Sequence, residues 1–210
     1  MKILLIGFGK INKLIFDLIK EDIVGIIDIN NEQISDIPDV IIDFSHPEFL
    51  DKTISYAMQY KVPVVIGTTG YNNKKTARIN QLSDFVPIMK SENFSFGIYM
   101  IKKFIAANKK HLNEYDKKII ETHHINKKDS PSGTALSLAS LLDTTNIQSK
   151  RDSDIYCIHE IVLLSENEEI KITHKIINRI EFAKWVIKST EWLINKPKGL
   201  YTFEDYLNGL

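Results

Sequence analysis

The chain has 210 residues, of which 43% are hydrophobic, enough to bury the core of one large domain or two small ones. Lysine and arginine together number 27 and so do aspartate and glutamate, which leaves a formal net charge of zero. Nothing in the overall charge favours nucleic acid or an anionic membrane as a partner. Any cationic binding site must therefore be local.

Cysteine content and apolar runs bound the location of the protein. Cys157 is the single cysteine, so an internal disulfide is excluded. The N-terminal stretch MKILLIGFGK meets glycines too early to resemble a signal peptide, and no apolar run approaches the roughly 20 residues that span a bilayer. These features predict a cytoplasmic protein.

The first half of the chain alternates aliphatic runs with amphipathic segments. Strands are predicted at 2–7, 23–28, 39–44 and 62–67, with helices at 10–20 and 47–60. The strands lack polar alternation, as is typical of a parallel sheet covered by helices on both faces. Between Asp28 and Asp39 the link is too short for a full crossover helix, so one unit is abbreviated.

The second half has a different pattern. Helices are predicted at 95–112, 132–143 and 179–194, a strand at 117–124, and a strand hairpin at 154–165 and 169–177, before a terminal turn and short helix at 197–210. The expected fold class is α/β, with a Rossmann-like parallel sheet domain and an inserted α+β domain that carries a mixed sheet. The predicted dinucleotide-binding domain comprises 1–93 and 179–210, and the inserted substrate-binding domain comprises 94–178.

The turn after the first strand is a candidate cofactor site. It reads G-x-G-x-x-N, and its candidate contacts are Gly7, Phe8, Gly9, Lys10 and Ile11. The two glycines permit a tight turn and a close approach of backbone amides to a pyrophosphate at the helix N-terminus. Asn12 replaces the third glycine and predicts a helix slightly farther from the strand. Alternatively, the glycines only turn the chain.

Asp28 supports the cofactor interpretation. It ends the second strand 21 positions after Gly7, where a carboxylate can accept hydrogen bonds from an adenosine ribose. The following residues, Ile29, Asn30 and Asn31, include no cation for a 2′-phosphate. This charge pattern favours NADH over NADPH.

Residues 121–135, ETHHINKKDSPSGTA, form the second candidate site. His123 and His124 are neighbours on a predicted strand and should point to opposite faces, so they are not expected to bind one metal ion, and no metal site is predicted. Lys127 and Lys128, followed by a Ser-Gly-Thr turn at 132–134 that opens a helix, are typical of an anion site. The alternative is a solvated charge cluster beside an N-capped helix.

The same motif resembles the signature of the 4-hydroxy-tetrahydrodipicolinate reductase family, E-x-H-H-x-x-K-x-D-x-P-S-G-T-A. Further matches follow in order along most of the chain, at 7–9, 40–48, 65–71, 92–97, 173–183 and 198–207. The resemblance implies NAD(P)H-dependent reduction of a cyclic imine dicarboxylate, 4-hydroxy-tetrahydrodipicolinate to tetrahydrodipicolinate, in lysine and diaminopimelate biosynthesis. It also implies a homotetramer formed through the sheet of the second domain, and strands 155–164 and 170–177 are expected to offer an apolar face for it.

The resemblance implies specific roles for residues. His123 would be the general acid, and Lys127 a second proton donor that also binds substrate. The substrate carboxylates would be held by His124, Ser132, Gly133, Thr134 and Thr69. The nicotinamide would be positioned by the loop 67–70, which includes Gly67, Thr68 and Thr69. The residues that line the cofactor cleft would be Phe44, Ser45, Asn93, Phe94 and Ser95.

The chain departs from the family pattern at Asn12, at Cys157-Ile158, where glycine-glutamate is usual, and at Lys184-Trp185. Cys157 is expected to be a buried strand residue. His159 and His174 are expected to be core or interface histidines, with a position near the pocket as the alternative for His159. Arg179 could contact cofactor or cap a helix.

Two other functions stay open at the level of sequence. One is a dinucleotide-sensing module without turnover, although the intact His123 and Lys127 argue against it. The other is a related dehydrogenase that acts on a different dicarboxylate or on an amino acid. The residue types suit reduction, because a histidine with a pKa near neutrality can deliver the proton that follows a hydride.

Overall fold

The computed structural model describes residues 1–125, 127–153 and 156–210. The chain forms two compact units, one comprising Met1–Phe94 with Ile180–Leu210 and the other comprising Ser95–Arg179. Within the described residues, no helix is both long and apolar enough to cross a membrane.

The first unit is built on a seven-stranded sheet. Its strands are β1 (Ile3–Ile6), β2 (Ile23–Asp28), β3 (Asn31–Ile34), β4 (Val40–Asp43), β5 (Val64–Ile66), β6 (Pro87–Lys90) and β11 (Gly199–Tyr201). Their order is β11-β6-β5-β4-β1-β2-β3. All neighbours are parallel except β3, which is antiparallel to β2. The predicted α/β class with a parallel-rich sheet is confirmed.

Helices of the first unit follow the strands. They are α1 (Lys10–Leu18), α2 (Leu50–Tyr60), α3 (Asn73–Leu82), α6 (Ile180–Leu193) and α7 (Phe203–Asn208), with single 3-10 turns at Lys20–Asp22 and Pro47–Phe49. The aliphatic runs of β1, β4 and β5 are fully buried. They form one core with apolar residues of α2 and α3, which explains why these strands carry no polar alternation.

Several elements of this unit lie outside the sequence prediction. The short link after Asp28 holds β3, which returns through a two-residue turn and pairs Asp28 with Asn31. A hairpin needs far fewer residues than a helical crossover, so the abbreviated unit is an antiparallel edge strand. Helix α3 begins where the side chain of Asn72 accepts a hydrogen bond from the Lys75 amide, and β11 occupies part of the predicted terminal turn.

The second unit is an α+β structure. Its strands are β7 (Asp116–His124), β8 (Ile147–Asp152), β9 (Cys157–Leu164) and β10 (Glu169–Ile176), its helices are α4 (Phe96–Asn108) and α5 (Gly133–Leu142), and His111–Glu114 is a 3-10 helix. The sheet order is β10-β9-β7-β8, with β7 and β8 parallel and the other pairs antiparallel. The predicted mixed sheet is confirmed, and β8 is an addition to the prediction.

The hairpin of the second unit differs from expectation in two respects. Its first strand was predicted from 154; residues 154 and 155 lie outside the described part of the chain, and β9 begins at Cys157. The apolar side chains of β10, such as Ile170 and Ile172, pack on the core with α4 and α5. The alternate positions are exposed and polar, for example Lys171 and Lys175. The expectation of an apolar outer face on β10 is therefore wrong, because β10 buries only one side of its pleat.

Candidate active site

The carboxyl edge of the parallel sheet collects the residues that the sequence assigns to a cofactor. β1 leads into Gly7, β4 into Phe44 and Ser45, and β5 into Gly67. β1 and β4 are neighbours in the sheet. The later strands are added on opposite sides of this pair, with β2 and β3 beyond β1, and β5, β6 and β11 beyond β4. This position is the topological switch point, where open α/β sheets bind their ligands.

The glycine turn after β1 is shaped for close backbone approach. Gly7 has a φ of +81°, and a Cβ added there would lie 2.8 Å from the Cα of Ser45, so only glycine fits without strain. Gly9 is the exposed N-cap of α1, and an added Cβ would meet nothing in the protein closer than 3.9 Å. The turn thus leaves the N-terminus of α1 open to an anion.

Asn12 has a structural role that explains its replacement of the third glycine. Its side chain is fully buried, and Nδ2 donates hydrogen bonds to the carbonyl oxygens of Ile6 and Gly7 at 2.9 and 2.8 Å. These bonds tie the first turn of α1 to the end of β1. Asn12 therefore stabilises the turn through hydrogen bonds, whereas a glycine at this position would do so through close packing of helix on strand.

The other residues of the turn surround this opening. Lys10 is exposed in the first turn of α1, and Ile11 is half-buried. The half-buried Phe8 packs its ring edge-on against Phe16, with 5.6 Å between ring centroids. Asp28 is half-buried at the end of β2, and its Oδ1 accepts a hydrogen bond from the Ile29 amide at 2.8 Å.

Asp43 organises this edge of the sheet, a role that no sequence motif predicted. It is fully buried at the end of β4, and its Oδ1 accepts hydrogen bonds from the hydroxyls of Ser45 at 2.5 Å and Thr68 at 2.7 Å. Its Oδ2 accepts one from Thr53 on α2 at 2.7 Å. Burial raises the pKa of Asp43 despite these donors. The sequence feature that could have indicated this role is a carboxylate in an otherwise aliphatic strand.

The hydrogen bonds around Asp43 engage one of the predicted cofactor residues, Thr68. The hydroxyl of Thr68 is buried and faces Asp43, and it also accepts a hydrogen bond from the Ser45 amide at 2.8 Å. Thr69 is exposed. Thr68 therefore fixes the backbone of the loop that carries Thr69.

Two predicted cleft residues belong to an aromatic cluster. The Phe44 ring packs directly on Gly67, where any Cβ would overlap it. Phe94 is 3% exposed and lies between the rings of Phe44 and Phe203, with centroids 5.6 and 5.2 Å away. Phe94 is thus a core residue. Asn93, just before it, accepts a hydrogen bond at its backbone oxygen from the Ser91 hydroxyl at 2.9 Å.

In the second unit, strand register builds a polar cluster on the face of the sheet that packs on the helices. β7 and β9 pair His123 with Cys157 and Glu121 with His159. Residues opposite one another or two apart on paired strands share a face. All four side chains therefore lie together, beyond the apolar pair of Ile119 and Ile161 that belongs to the core.

Glu121 is the electrostatic centre of this cluster. Its side chain is 0% exposed. Both of its oxygens accept a hydrogen bond from the Ser132 amide at 3.1 Å, and Oε1 accepts one from the Ser149 hydroxyl at 2.8 Å. Burial opposes ionisation, but the hydrogen bonds from Ser132 and Ser149 outweigh it, so the pKa of Glu121 lies below its ordinary value. Glu121 is therefore a carboxylate at neutral pH.

His123 lies beside this carboxylate and is 6% exposed. Its Nδ1 is 3.3 Å from Glu121 Oε2, although the geometry does not meet the requirements of a hydrogen bond. Burial lowers the pKa of His123 to about 4, and the nearby cations of Lys127 and Arg151 act in the same direction, whereas Glu121 raises it. The imidazole is neutral at physiological pH in this state.

A cationic loop follows β7. Lys127 Nζ donates to both oxygens of Asp129, at 2.9 and 2.8 Å, and its side chain is 23% exposed. Arg151 on β8 stabilises the loop by donating hydrogen bonds to the backbone oxygens of Asp129 at 2.7 Å and Lys127 at 3.4 Å. Arg151 could not be predicted as a site residue from the sequence, because the pairing of β7 with β8 is what brings it opposite His123.

The predicted Ser-Gly-Thr turn opens α5. Ser132 is buried, and its hydroxyl accepts a hydrogen bond from the Ala135 amide at 3.2 Å and lies 3.3 Å from His159 Nε2. Gly133 is exposed and Thr134 half-buried. The hydroxyl of Ser132 thus caps the helix, and the positive end of the α5 dipole points toward the loop that precedes it.

Other histidines and cations have distinct surroundings. His124 ends β7 and is half-buried, and strand alternation directs it away from the face of His123. His159 is a buried histidine, whereas His174 and Cys157 are half-buried. Cys157 is thus a strand residue as expected, but it is half-buried instead of buried. The guanidinium of Arg179 lies over the ring of Tyr156, 4.8 Å from its centroid.

The fold and this pair of sites define a dehydrogenase-type α/β protein. Two family models match the chain, namely the N-terminus of dihydrodipicolinate reductase over residues 1–94 and its C-terminus over residues 97–207. The chain belongs to the dihydrodipicolinate reductase family.

Curated relatives agree with this membership. The 4-hydroxy-tetrahydrodipicolinate reductase of Thermosipho africanus (strain TCF52B) is 38% identical over 212 residues, which cover 99% of this chain and 98% of the relative. The enzyme of the same name from Rickettsia akari (strain Hartford) is 38% identical over 189 residues, with 81% and 77% covered.

Solved structures show the same fold. Dipicolinate-bound dihydrodipicolinate reductase from Paenisporosarcina sp. TG-14 superimposes with a TM-score of 0.77 at 21% identity, with 98% of each chain covered. An oxidoreductase from Agrobacterium radiobacter in complex with NAD+, L-tartaric acid and magnesium gives a TM-score of 0.60 at 11% identity, with 100% of this chain and 89% of the other covered.

Proposed function

We propose that this protein catalyses the NAD(P)H-dependent reduction of 4-hydroxy-tetrahydrodipicolinate to tetrahydrodipicolinate in lysine and diaminopimelate biosynthesis. The observation that carries the proposal is the neutral, buried His123 beside the carboxylate of Glu121, next to the cationic loop of Lys127. This combination suits a substrate that brings negative charge and receives a proton. Family membership supplies the substrate class.

Lys127 and the start of α5 are the groups that would hold the substrate carboxylates. Lys127 already binds a carboxylate, that of Asp129, with two hydrogen bonds, so a substrate carboxylate can take the place of this exposed side chain. Thr134 and Gly133 lie at the helix N-terminus, where the dipole favours an anion. Family resemblance adds His124 and Thr69 as proposed substrate contacts, although strand alternation directs His124 away from the face of His123, and Ser132 fixes the helix start.

Protonation follows from the charge of the substrate. A pKa of about 4 keeps His123 neutral before substrate binds. A bound dianion favours the protonated imidazole by charge attraction, as Glu121 already does. His123 therefore takes up a proton when substrate binds and can deliver it once hydride has reached the ring. Lys127 would stabilise the developing negative charge and act as a second donor.

The carboxyl edge of the first unit is the proposed nicotinamide cofactor site. Gly9 leaves the backbone accessible, and α1 has no acidic residue in its first turn, so a pyrophosphate meets unopposed helix amides. When bound, the cofactor supplies the hydride. Ser45 and Thr69, on the loops after β4 and β5, are the proposed contacts on the nicotinamide side.

Asp28 makes NADH the favoured cofactor over NADPH. Its carboxylate at the end of β2 suits a ribose with two free hydroxyls and repels a 2′-phosphate. The antiparallel β3 follows after only two residues, so the backbone beside Asp28 is held by the hairpin.

The direct test follows nicotinamide absorbance in the presence of substrate generated in situ by the synthase that precedes this step. We expect oxidation of both cofactors only when substrate is present, with a higher kcat/KM for NADH. Asp28→Ala should narrow the preference for NADH, whereas Asp17→Ala, an exposed carboxylate on α1, should not. Absence of oxidation with either cofactor would contradict the reductase assignment.

Family resemblance also supports a homotetramer and a cytoplasmic location. The four-stranded sheet of the second unit has α4 and α5 on one face, so its other face is the proposed subunit contact. Light scattering of the purified protein tests the subunit number.

A further inference from the structure

A group of metal-ligating side chains lies within the second unit. One ligand atom from each of His123, Cys157 and His159 can be chosen so that all three lie within 4.8 Å of one another. The sulfur of Cys157 is already 3.3 Å from Nδ1 of His159. His123 and His159 are buried and Cys157 is half-buried, so the group is a built cluster and not a chance meeting of surface residues.

The spacing fits a tetrahedral metal ion after small side-chain rotations. Zinc bonds of about 2.0–2.1 Å to nitrogen and about 2.3 Å to sulfur require ligand atoms roughly 3.5 Å apart. The sulfur–nitrogen pair has this spacing, and the other separations within the group need only to close by an ångström or so. Two imidazoles and one thiolate are a ligand set that zinc accepts, with a fourth position left for water.

A carboxylate beside one of the histidines also suits a metal site. Glu121 Oε2 lies 3.3 Å from the buried His123 Nδ1, where it would accept a hydrogen bond from this nitrogen while Nε2 binds the ion. Carboxylates beside ligating histidines orient the ring and increase its basicity. Burial raises the pKa of the Cys157 thiol, so zinc binding would release the thiol proton, and the resulting thiolate and Glu121 would together carry two negative charges. The cations of Lys127 and Arg151 oppose the ion. Lys127 is paired with Asp129, and Arg151 donates to backbone oxygens, although its Nη1 also lies 3.7 Å from Glu121 Oε1 and offsets part of that charge.

We propose that His123, Cys157 and His159 bind one zinc ion, and that the bound ion inhibits the reductase because it occupies His123. The binding part stands on the cluster alone, whereas the inhibition part rests on the proposed function. Cys157 departs from the glycine-glutamate of the family pattern, so the thiol ligand is a feature of this chain.

Cobalt provides a test that does not depend on activity. The chain has one cysteine, so a thiolate-to-cobalt charge-transfer band on adding Co²⁺ to untagged, chelator-treated protein reports Cys157 alone. We expect one equivalent of Co²⁺ to produce this band together with the intense d–d absorption of a tetrahedral site, and one equivalent of Zn²⁺ to displace it. Absence of the thiolate band in the folded wild-type protein would overturn the site.

Variants assign the ligands. Cys157→Ser changes one atom and should weaken Zn²⁺ binding by more than about tenfold, because replacing even a residue that only contacts a metal ligand costs about 10–100-fold in affinity. His159→Gln should have the same effect. His46→Gln, at an exposed histidine in the other unit, is the matched control and should leave binding unchanged. Equal affinity in Cys157→Ser and wild type, with both folded by near-ultraviolet circular dichroism, would contradict the proposed ligand set.

Reductase assays separate the two parts. Zn²⁺ at one equivalent should suppress NADH oxidation by wild type and not by Cys157→Ser, whose activity without metal should equal that of wild type. A thiolate band with full activity in the presence of Zn²⁺ would overturn inhibition through His123. A thiolate band in a protein that never oxidises NADH would refute the proposed function and leave the metal site supported.

Discussion

The Glu121 carboxylate lies 3.3 Å from Nδ1 of His123, and both side chains are buried on one face of the four-stranded sheet. Strand β7 alone creates this relationship, since residues two apart on a strand share a face. Ser132 and Ser149 hold the carboxylate in place from α5 and β8. A fixed negative charge thus accompanies the one histidine that is proposed to carry a proton.

Replacing Glu121 should move the pH dependence of the reaction downward. The carboxylate raises the pKa of His123 against the effect of burial, so Glu121→Gln should lower that pKa further below about 4. Loss of the negative charge lowers the pKa of His123 in the substrate complex as well, and kcat reports that pKa, so the fall of kcat with rising pH should begin at a lower pH. The pH profile of kcat, measured with chelator present, tests this.

Glu160→Gln is the control for that experiment. Glu160 lies on the neighbouring strand but pairs with Ile120, on the other face of the sheet. Its replacement should leave the profile in place. If both variants shift the profile equally, a local effect of Glu121 on His123 is refuted.

His123→Asn should reduce turnover more than substrate affinity. General acid catalysis contributes about 10²–10⁴-fold to rate, and a group that acts in the transition state affects kcat more than KM. We expect kcat to fall by at least about 100-fold with KM changed only a few-fold. Steady-state kinetics across substrate concentrations give both values, and an unchanged kcat would remove His123 from the chemistry.

Lys127 and Lys128 are adjacent and should differ sharply. Lys127 is half-buried and ion-paired, whereas Lys128 is exposed. Loss of a charge-assisted hydrogen bond costs about 1.5–3 kcal/mol, so Lys127→Ala should raise KM by about 10-fold or more and also lower kcat. Lys128→Ala should change KM much less, because exposed charges are screened. Similar KM values for the two variants would contradict a specific contact by Lys127.

The two glycines of the first turn should separate stability from cofactor binding. Gly7→Ala forces a side chain into a left-handed conformation and against Ser45, at a cost of about 1–3 kcal/mol, and Tm should drop by several degrees. Gly9 has ordinary dihedral angles and open space around it. Gly9→Ala should keep Tm and weaken NADH binding, because its methyl group meets the pyrophosphate.

Thermal unfolding and a fluorescence titration with NADH measure the two effects independently. Wild-type NADH affinity in a stable Gly9→Ala protein would exclude this turn from pyrophosphate binding.

Local sequence patterns determined the α/β class, the parallel sheet, the mixed sheet and the order of the motifs. Helix and strand periodicities, glycine turns and aliphatic runs act over a few residues, so they can be interpreted without knowledge of the rest of the chain. The antiparallel β3 is an instructive case. The short link after Asp28 excluded a crossover helix, but the pairing that replaced it depended on the free edge of β2.

Tertiary structure alone decided which distant side chains meet. The register of β7 with β9 set His123 opposite Cys157 and brought His159 beside Glu121, and a shift of one residue would have sent each of them to the other face. Asp43 likewise connects segments that are distant in the sequence, because it accepts hydrogen bonds from hydroxyls 2, 10 and 25 positions away in the chain. Such contacts depend on register and packing across the whole sheet, which no local pattern encodes.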